Sequence, residues 1–259
     1  MITTSENIIN TPRGQLYSCM WQVESEQAPI ILLHDSLGCV ALWRDFPEQL
    51  AQSTQRSVIA YDRLGFGQSS LHPQQLQANF VTQEAQDDFA QVLAAYAVQQ
   101  FVVMGHSVGG GMAIACAATY PKQCVALITE AAQAFNDDQI RQEIQNAANL
   151  FQDPQQLARL AKYHGDKAKW VLDAWVNTWQ SAAFRDWNLD ECTHLVQAPS
   201  LILHGEHDEY GALAHPQRLA ENLGDFAQLR IIAGGRHILH KEQPELILTT
   251  IQDFLADVP

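Results

Sequence analysis

Basic residues are scarce in this sequence, and their scarcity limits the kinds of partner the protein can bind. The 259 residues include 15 lysines and arginines against 29 aspartates and glutamates, a formal net charge of −14 at pH 7. A surface with this balance repels the phosphates of nucleic acids and the headgroups of anionic lipids. We therefore expect neither a nucleic-acid partner nor a membrane partner.

Long hydrophobic runs are missing as well. No run approaches the roughly 18 apolar residues that a membrane-spanning helix needs. Residues 1–7 lack the basic start and the apolar stretch of a secretion signal. These absences predict a cytoplasmic protein.

Cysteines are few, and their spacing matches neither a zinc site nor a disulfide framework. We predict reduced thiols and no bound metal. The glycines of Gly65-Phe-Gly67 are too few to indicate a dinucleotide site, so no cofactor is expected. The cysteines are Cys19, Cys39, Cys116, Cys124 and Cys192.

Short apolar runs are present in regular alternation with amphipathic segments. Such runs are typical of strands buried on both faces of a parallel sheet. Their alternation with helices predicts one α/β domain with helices on both faces, whose ligand site lies at the carboxyl ends of the strands. An antiparallel hairpin precedes this sheet, and residues 82–96 have the periodicity of one long amphipathic helix. The runs are residues 30–33, 57–61, 101–104, 125–129, 199–204 and 228–232.

The stretch from residue 132 to residue 197 differs from the rest of the chain. It contains no β-branched strand run, but it is rich in Gln, Asn, Asp and Ala. We interpret it as a helical cap inserted into a core of residues 1–131 and 198–259. At least one of its tryptophans is expected to line the binding pocket, since a lid over a site needs an apolar underside. These tryptophans are Trp170, Trp175, Trp179 and Trp187.

One motif in the sequence indicates nucleophilic chemistry. Gly105-His106-Ser107-Val108-Gly109 fits G-x-S-x-G between a predicted strand and a helix of small residues that Pro121 ends. In that context the motif presents a serine hydroxyl on a sharp turn above a helix N-terminus. We therefore predict that Ser107 is a nucleophile.

Two further residues complete the chemistry that a serine nucleophile needs. A serine hydroxyl requires a base to take its proton and a third group to orient that base. Asp208 and His237 each follow a predicted strand, so both fall at the same sheet edge as Ser107. The order along the chain is nucleophile, acid, histidine.

With these motifs in this order, the chain resembles the α/β-hydrolase family over nearly its whole length. The resemblance implies an eight-stranded, mostly parallel sheet with an inserted helical cap. It also implies an oxyanion hole formed by the backbone NH groups of Ser36 and Val108. The segment Ser36-Leu-Gly38 is similar to the enol-lactonase branch of that family.

Two residues depart from the family pattern. Asp35 stands where relatives commonly have glycine; it either caps its loop or disfavours anionic substrates near the site. Arg236 stands where a small residue is common; it either contacts a substrate carboxylate or, as we favour, points to solvent. Glu130 is an alternative to Asp208 as the acid, and we expect a structural role for His106.

These residues predict a serine hydrolase that cleaves a small carboxylic ester or lactone through an acyl-enzyme intermediate. Three alternatives remain open: hydrolysis of a carbon–carbon bond, a lyase or synthase reaction of the menaquinone-pathway type, and a non-catalytic small-molecule receptor. The first two act on anionic substrates, whereas the basic residues of the predicted cap are dispersed among acids. Both a monomer and a homodimer are compatible with the sequence.

Overall fold

The computed structural model describes residues 1–258, and its centre is a sheet of eight strands. β1 and β2 form an antiparallel hairpin, β2 pairs antiparallel with β4, and the remaining neighbours are parallel. The order across the sheet is β1-β2-β4-β3-β5-β6-β7-β8. The strands are β1 (Thr3–Thr11), β2 (Gly14–Gln22), β3 (Ile30–Leu33), β4 (Val58–Tyr61), β5 (Phe101–His106), β6 (Cys124–Glu130), β7 (Ser200–Gly205) and β8 (Ala227–Ile232).

Helices follow most of the strands. The α-helices are α1 (Phe46–Thr54), α2 (Phe80–Gln83), α3 (Asp88–Ala95), α4 (Val108–Thr119), α5 (Asp138–Leu150), α6 (Pro154–His164), α7 (Ala168–Gln180), α8 (Asp190–Thr193), α9 (Ala214–Leu223), α10 (Leu239–Glu242) and α11 (Pro244–Leu255). Short 3₁₀ turns lie at Val40–Trp43, Gly165–Lys167, Ala182–Phe184 and Gly224–Phe226. No described helix is long and apolar enough to cross a bilayer. The predicted α/β class and mostly parallel eight-stranded sheet are confirmed.

Hydrophobic residues cover both faces of the sheet, as the continuous apolar strands predict. Side chains alternate between the faces along a strand. In β3, Ile31 and Leu33 pack in a cluster with α3 and α4, whereas Ile30 and Leu32 pack in a second cluster with α1 and α11. All four are fully buried. The two clusters fix the sheet between two helical layers.

The prediction of one helix over residues 82–96 is wrong. The helix is interrupted between α2 and α3, where the Phe89 NH bonds to the carbonyl of Glu84, five residues earlier, at 3.2 Å. Side chains of this region accept hydrogen bonds from other segments. Tyr61 donates to Glu84 at 2.5 Å, and the Leu64 NH donates to Asp88 at 2.7 Å. These side-chain bonds tie the interrupted region to β4 and to the loop after it.

The chain between β6 and β7 forms α5, α6, α7 and α8, here called the inserted helices. Ile140 and Ile144 of α5 and Trp179 of α7 belong to the same buried cluster as α4. A smaller cluster joins Phe66 to Leu160 and Val171. The inserted helices therefore pack on the loops at the carboxyl ends of the strands.

Candidate active site

Ser107 lies on a sharp turn between β5 and α4. Its backbone has φ 56° and ψ −125°, which is a strained combination for a residue with a side chain. Glycine is required at both flanking positions because other backbone atoms lie too close for a side chain. A Cβ on Gly105 would overlap the carbonyl of Gly109, and a Cβ on Gly109 would overlap that of Leu33. The Ser107 NH donates to the Glu130 carbonyl at 2.8 Å. The turn is thus held by backbone contacts with two neighbouring strands.

The Ser107 hydroxyl contacts a residue that the sequence analysis missed. Its Oγ lies 3.5 Å from Oε1 and 3.4 Å from Nε2 of Gln133. Hydrogen bonds of this length are weak, so the hydroxyl is not locked in place. Gln133 follows β6, is buried and carries no motif that would have identified it. Its proximity to the serine is visible only in the folded structure.

Asp208 and His237 are in direct contact. Nδ1 of His237 lies 2.8 Å from Oδ1 and 3.0 Å from Oδ2 of Asp208, and the Tyr210 NH donates to Asp208 at 2.8 Å. Burial alone would raise the pKa of Asp208, but the hydrogen bond and the charge of His237 outweigh it and lower that pKa below the ordinary value. An ionised Asp208 fixes the Nδ1–H tautomer of His237, which leaves Nε2 free to act as a base.

Glu130, the alternative acid, contacts a different histidine. Its Oε1 accepts from the Nδ1 and the backbone NH of His240, at 2.7 and 3.2 Å. Both residues are buried. The structure therefore brings His237 together with Asp208 and not with Glu130.

A cavity of about 230 Å³ lies over Ser107 and His237. The inserted helices supply part of its apolar wall through Ile140, Trp175 and Trp179. In the described part of the chain, neither lysine nor arginine lines this cavity. The lining residues are Asp35, Ser36, Leu37, His106, Ser107, Gln133, Ile140, Trp175, Trp179, Tyr210, His237 and Ile238.

The predicted oxyanion donors, Ser36 and Val108, line one small cavity together. Val108 is the first residue of α4, where backbone NH groups have no partner within the helix, and Ser36 also lines the cavity over Ser107. The loop of Ser36 is held on both sides: the Asp35 carboxylate accepts the Leu37 NH at 2.9 Å, and Arg63 donates to the Asp35 carbonyl at 2.8 Å. Asp35 therefore does cap its loop.

The Asp35 carboxylate also faces His106. Asp35 Oδ2 lies 3.3 Å from Nδ1 of His106, and the other ring nitrogen, Nε2, lies 2.9 Å from the backbone carbonyl of His237. The His106 ring is buried and lines the cavity beside Ser107. One side chain thus connects the loop after β3 with the loop after β8.

Arg236 lies outside the cavity. Its side chain is 65% exposed, and Nη2 lies 3.2 Å from Oε1 of Glu209. The preferred interpretation of Arg236, as a residue that points to solvent, agrees with this position.

Comparisons with known proteins agree with the fold. The family model described as alpha/beta hydrolase fold matches residues 28–244. The mouse protein named Serine hydrolase BPHL is 27% identical over 241 residues, which cover 90% of this chain and 80% of that protein. Proline iminopeptidase of Lactobacillus delbrueckii subsp. lactis is 29% identical over 140 residues, covering 54% of this chain and 43% of that enzyme.

Among solved structures, the chain is similar to the 2-hydroxy-6-oxo-6-phenylhexa-2,4-dienoate hydrolase from Rhodococcus sp. strain RHA1. The TM-score is 0.82 over 99% of this chain and 100% of that one, at 13% identity. At this identity the likeness concerns the fold alone. Together with the match of the family model to most of the chain, it leads to one conclusion: the protein belongs to the α/β-hydrolase fold family.

Proposed function

We propose that this protein is a serine hydrolase that cleaves the carboxylic ester or lactone of a small molecule through an acyl-enzyme intermediate. The observation that carries the proposal is the contact of 2.8 Å between Asp208 and His237, a histidine that lines the same cavity as Ser107. A histidine oriented by a carboxylate beside a strained serine is the arrangement that activates a serine hydroxyl.

The reaction proceeds in two halves. Ser107 Oγ attacks the ester carbonyl while His237 Nε2 takes the hydroxyl proton, and the alcohol leaves with that proton as the C–O bond breaks. Water then attacks the acyl-enzyme, His237 accepts its proton, and that proton returns to Ser107 as the acid is released. In each half, the NH groups of Ser36 and Val108 stabilise the oxyanion.

The cavity favours a small, neutral acyl group. Its volume of about 230 Å³ is below the about 300–1,000 Å³ typical of sites for drug-sized ligands. Trp175 and Trp179 present apolar surface to this cavity. Carbon–carbon bond hydrolysis and the lyase reaction act on anionic substrates, and among the described residues neither lysine nor arginine lines the cavity to bind them.

We also propose that the inserted helices act as a cap. They follow β6 and return to β7, and they contribute Ile140, Trp175 and Trp179 to the cavity wall above Ser107. In this position they exclude water from the acyl group and limit its length. Residues 132–197 are therefore the segment expected to determine substrate choice.

The test is hydrolysis of p-nitrophenyl esters from acetate to dodecanoate by the wild type and by Ser107→Ala. We expect Ser107→Ala to lower kcat by about 10⁴-fold or more, because the substituted enzyme keeps only binding and the oxyanion donors. A fluorophosphonate should label the wild type once, on Ser107. The matched control is Ser53→Ala, whose hydroxyl bonds to the Leu50 carbonyl far along the chain from the site.

Full activity in folded Ser107→Ala protein would contradict the proposal. Amide hydrolysis provides a second comparison, because proline iminopeptidase is among the relatives. If prolyl p-nitroanilide were cleaved and every ester were not, the serine mechanism would stand and the ester assignment would be wrong.

A further inference from the structure

Both ring nitrogens of His106 face atoms that only accept hydrogen bonds. Nε2 lies 2.9 Å from the carbonyl oxygen of His237, and Nδ1 lies 3.3 Å from the carboxylate of Asp35. A carbonyl oxygen has no proton to donate, and an ionised carboxylate has none either. Each contact is favourable only when the nitrogen carries a hydrogen, so both are satisfied together only by the doubly protonated ring.

The two contacts join the loops on which the proposed chemistry depends. Asp35 precedes Ser36, the proposed oxyanion donor, and its other carboxylate oxygen accepts the Leu37 NH at 2.9 Å. His237 is the proposed base, and its backbone carbonyl is the second partner of the bridge. His106 itself precedes Ser107 at the end of β5. The ring thus lies between the oxyanion loop, the nucleophile and the base.

We propose that His106 is held as an imidazolium that bridges the oxyanion loop to the loop of His237, and that losing its second proton sets an alkaline limit to hydrolysis. His106 and Asp35 are positioning residues in this proposal, which rests on the proposed ester hydrolysis. When the ring is neutral, either Nδ1 presents a lone pair to the Asp35 carboxylate or Nε2 presents one to the His237 carbonyl. One contact then becomes repulsive, so either the Asp35 carboxylate beside Ser36 or the loop of His237 is displaced.

The charges around the ring agree with this state. Glu130 Oε1 lies 4.0 Å from Nε2, and His240, which contacts Glu130, is the next ring in the network. His34 and Lys241 line the small cavity on the far side of His106, together with Asp35. The two carboxylates therefore face His106 from β6 and from the oxyanion loop, and Lys241 lies on α10. The His237 ring also faces His106, with 5.0 Å between the ring centroids.

The pKa values of His106 and Asp35 are shifted in the directions that favour a charged ring beside a charged carboxylate. Burial alone would lower the pKa of His106, but its contact with Asp35 and the charge of Glu130 outweigh burial and raise that pKa above the ordinary histidine value. Burial would likewise raise the pKa of Asp35, yet the contact with His106 lowers it. The imidazolium is therefore favoured over that of an ordinary histidine, and it disappears as the pH rises through the raised pKa of His106.

Asp35→Asn tests the bridge, because an asparagine can satisfy a neutral ring. Its side-chain oxygen can still accept the Leu37 NH, while its NH₂ group donates to Nδ1 of His106 and leaves Nε2–H for the His237 carbonyl. In the wild type we expect kcat/KM to fall at alkaline pH, to less than about one tenth of its plateau, since a displaced oxyanion donor costs up to about 10²–10³-fold. In Asp35→Asn this alkaline limb should be absent.

Two variants serve as controls. Lys241→Gln removes the lysine on α10 and should keep the alkaline limb, which excludes deprotonation of Lys241 as its cause. Asp35→Ala removes both the loop cap and the partner of Nδ1, so it should lower kcat at every pH with little change in KM. Thermal denaturation of each variant confirms that it is folded, and rates are corrected for spontaneous ester hydrolysis.

The protonation state is measured directly by long-range ¹H–¹⁵N NMR of histidine-labelled protein at pH 7.5, with His106→Gln to assign the signals. We expect both nitrogens of His106 to be protonated in the wild type and only Nε2 in Asp35→Asn. A neutral His106 in the wild type would overturn the inference, as would an alkaline limb unchanged in Asp35→Asn. If no ester is hydrolysed, the proposed function fails, and the NMR result still decides whether the bridge exists.

Discussion

Two buried carboxylates contact two histidines at the edge of the sheet, and position alone distinguishes their roles. Asp208 bonds to His237, which lines the cavity with Ser107, while Glu130 bonds to His240 behind it. Both pairs are equally short, with 2.8 and 2.7 Å between the closest atoms. The proposed catalytic role therefore follows from access to the serine and not from the strength of the pair.

Asp208→Asn is expected to lower kcat by about 10⁴-fold, because an amide does not hold His237 in the productive tautomer or stabilise its charged form. Glu130→Gln is the matched variant, and at neutral pH its kcat should remain within about tenfold of the wild type, since removing a hydrogen bond outside the reacting atoms costs about 1 kcal/mol. Ester hydrolysis by both purified variants provides the measurement. Equal losses in the two would indicate that the assignment of the acid is wrong.

At the scale of elements, the turn from β5 into α4 is tightly constrained by neighbouring backbone. The helix approaches β3 so closely that Gly109 lies against the carbonyl of Leu33. Backbone atoms on both sides are fixed by the sheet and by the helix. There is consequently no space for a side chain at this position.

Gly109→Ala should reduce the free energy of unfolding by about 3 kcal/mol or more, or prevent folding, because the new methyl group meets backbone that cannot move aside. Gly111→Ala, two residues later in α4, is the control. Its Cβ would meet side-chain atoms of Val81, Leu189 and Trp187, at 3.2, 3.4 and 3.8 Å, so we expect a change within about 1 kcal/mol. Urea denaturation measures both, and similar values for the two variants would contradict the argument.

The helix α7 carries three tryptophans with different surroundings. Trp175 and Trp179 line the cavity over Ser107, whereas Trp170 stacks on His72 with ring centroids 5.3 Å apart. One helix thus contributes both to the cavity over Ser107 and to the packing of a loop. The sequence pattern alone does not separate these functions.

Trp175→Ala should shift ester preference toward longer acyl chains, because removing the indole enlarges the cavity above Ser107. We expect the ratio of kcat/KM for octanoate to that for butyrate to rise by about tenfold or more, since each methylene contact contributes about 1–3 kcal/mol to discrimination. Trp170→Ala, the control in the same helix, should leave this ratio unchanged. A shift of the same size in both variants would place the acyl group elsewhere.

At the scale of the whole molecule, the inserted helices and the sheet share one hydrophobic cluster. Ile140, Trp179 and Phe184 pack in the same buried cluster as Val108 and Met112 of α4. Elements that share a core are expected to unfold together.

Equilibrium unfolding in urea should therefore be a single transition. Tryptophan fluorescence reports mainly on residues 170–187, where four of the six tryptophans lie, and far-UV circular dichroism reports on all helices. We expect the two midpoints to coincide. A fluorescence change that precedes the loss of circular dichroism would show that the inserted helices unfold independently.

Several features followed from local patterns in the sequence. Continuous apolar runs predicted the buried strands because a strand covered on both faces has no polar side. The glycines around Ser107 predicted the sharp turn, and the positions of Asp208 and His237 after strands predicted a shared sheet edge. The break in the helix at residues 84–87 was missed because the apolar periodicity of residues 82–96 continues across it.

By itself the sequence determined the fold family, the order of the strands along the chain and the residues most suited to nucleophilic chemistry. Only the tertiary structure decided which tryptophans line the cavity and that Gln133 lies beside Ser107. It also decided that His106 links Asp35 to the carbonyl of His237, which lies 131 residues after His106. The physical reason is the distance along the chain over which each effect acts. Periodicity and turn chemistry act over a few residues, whereas these contacts depend on how distant segments pack against one another.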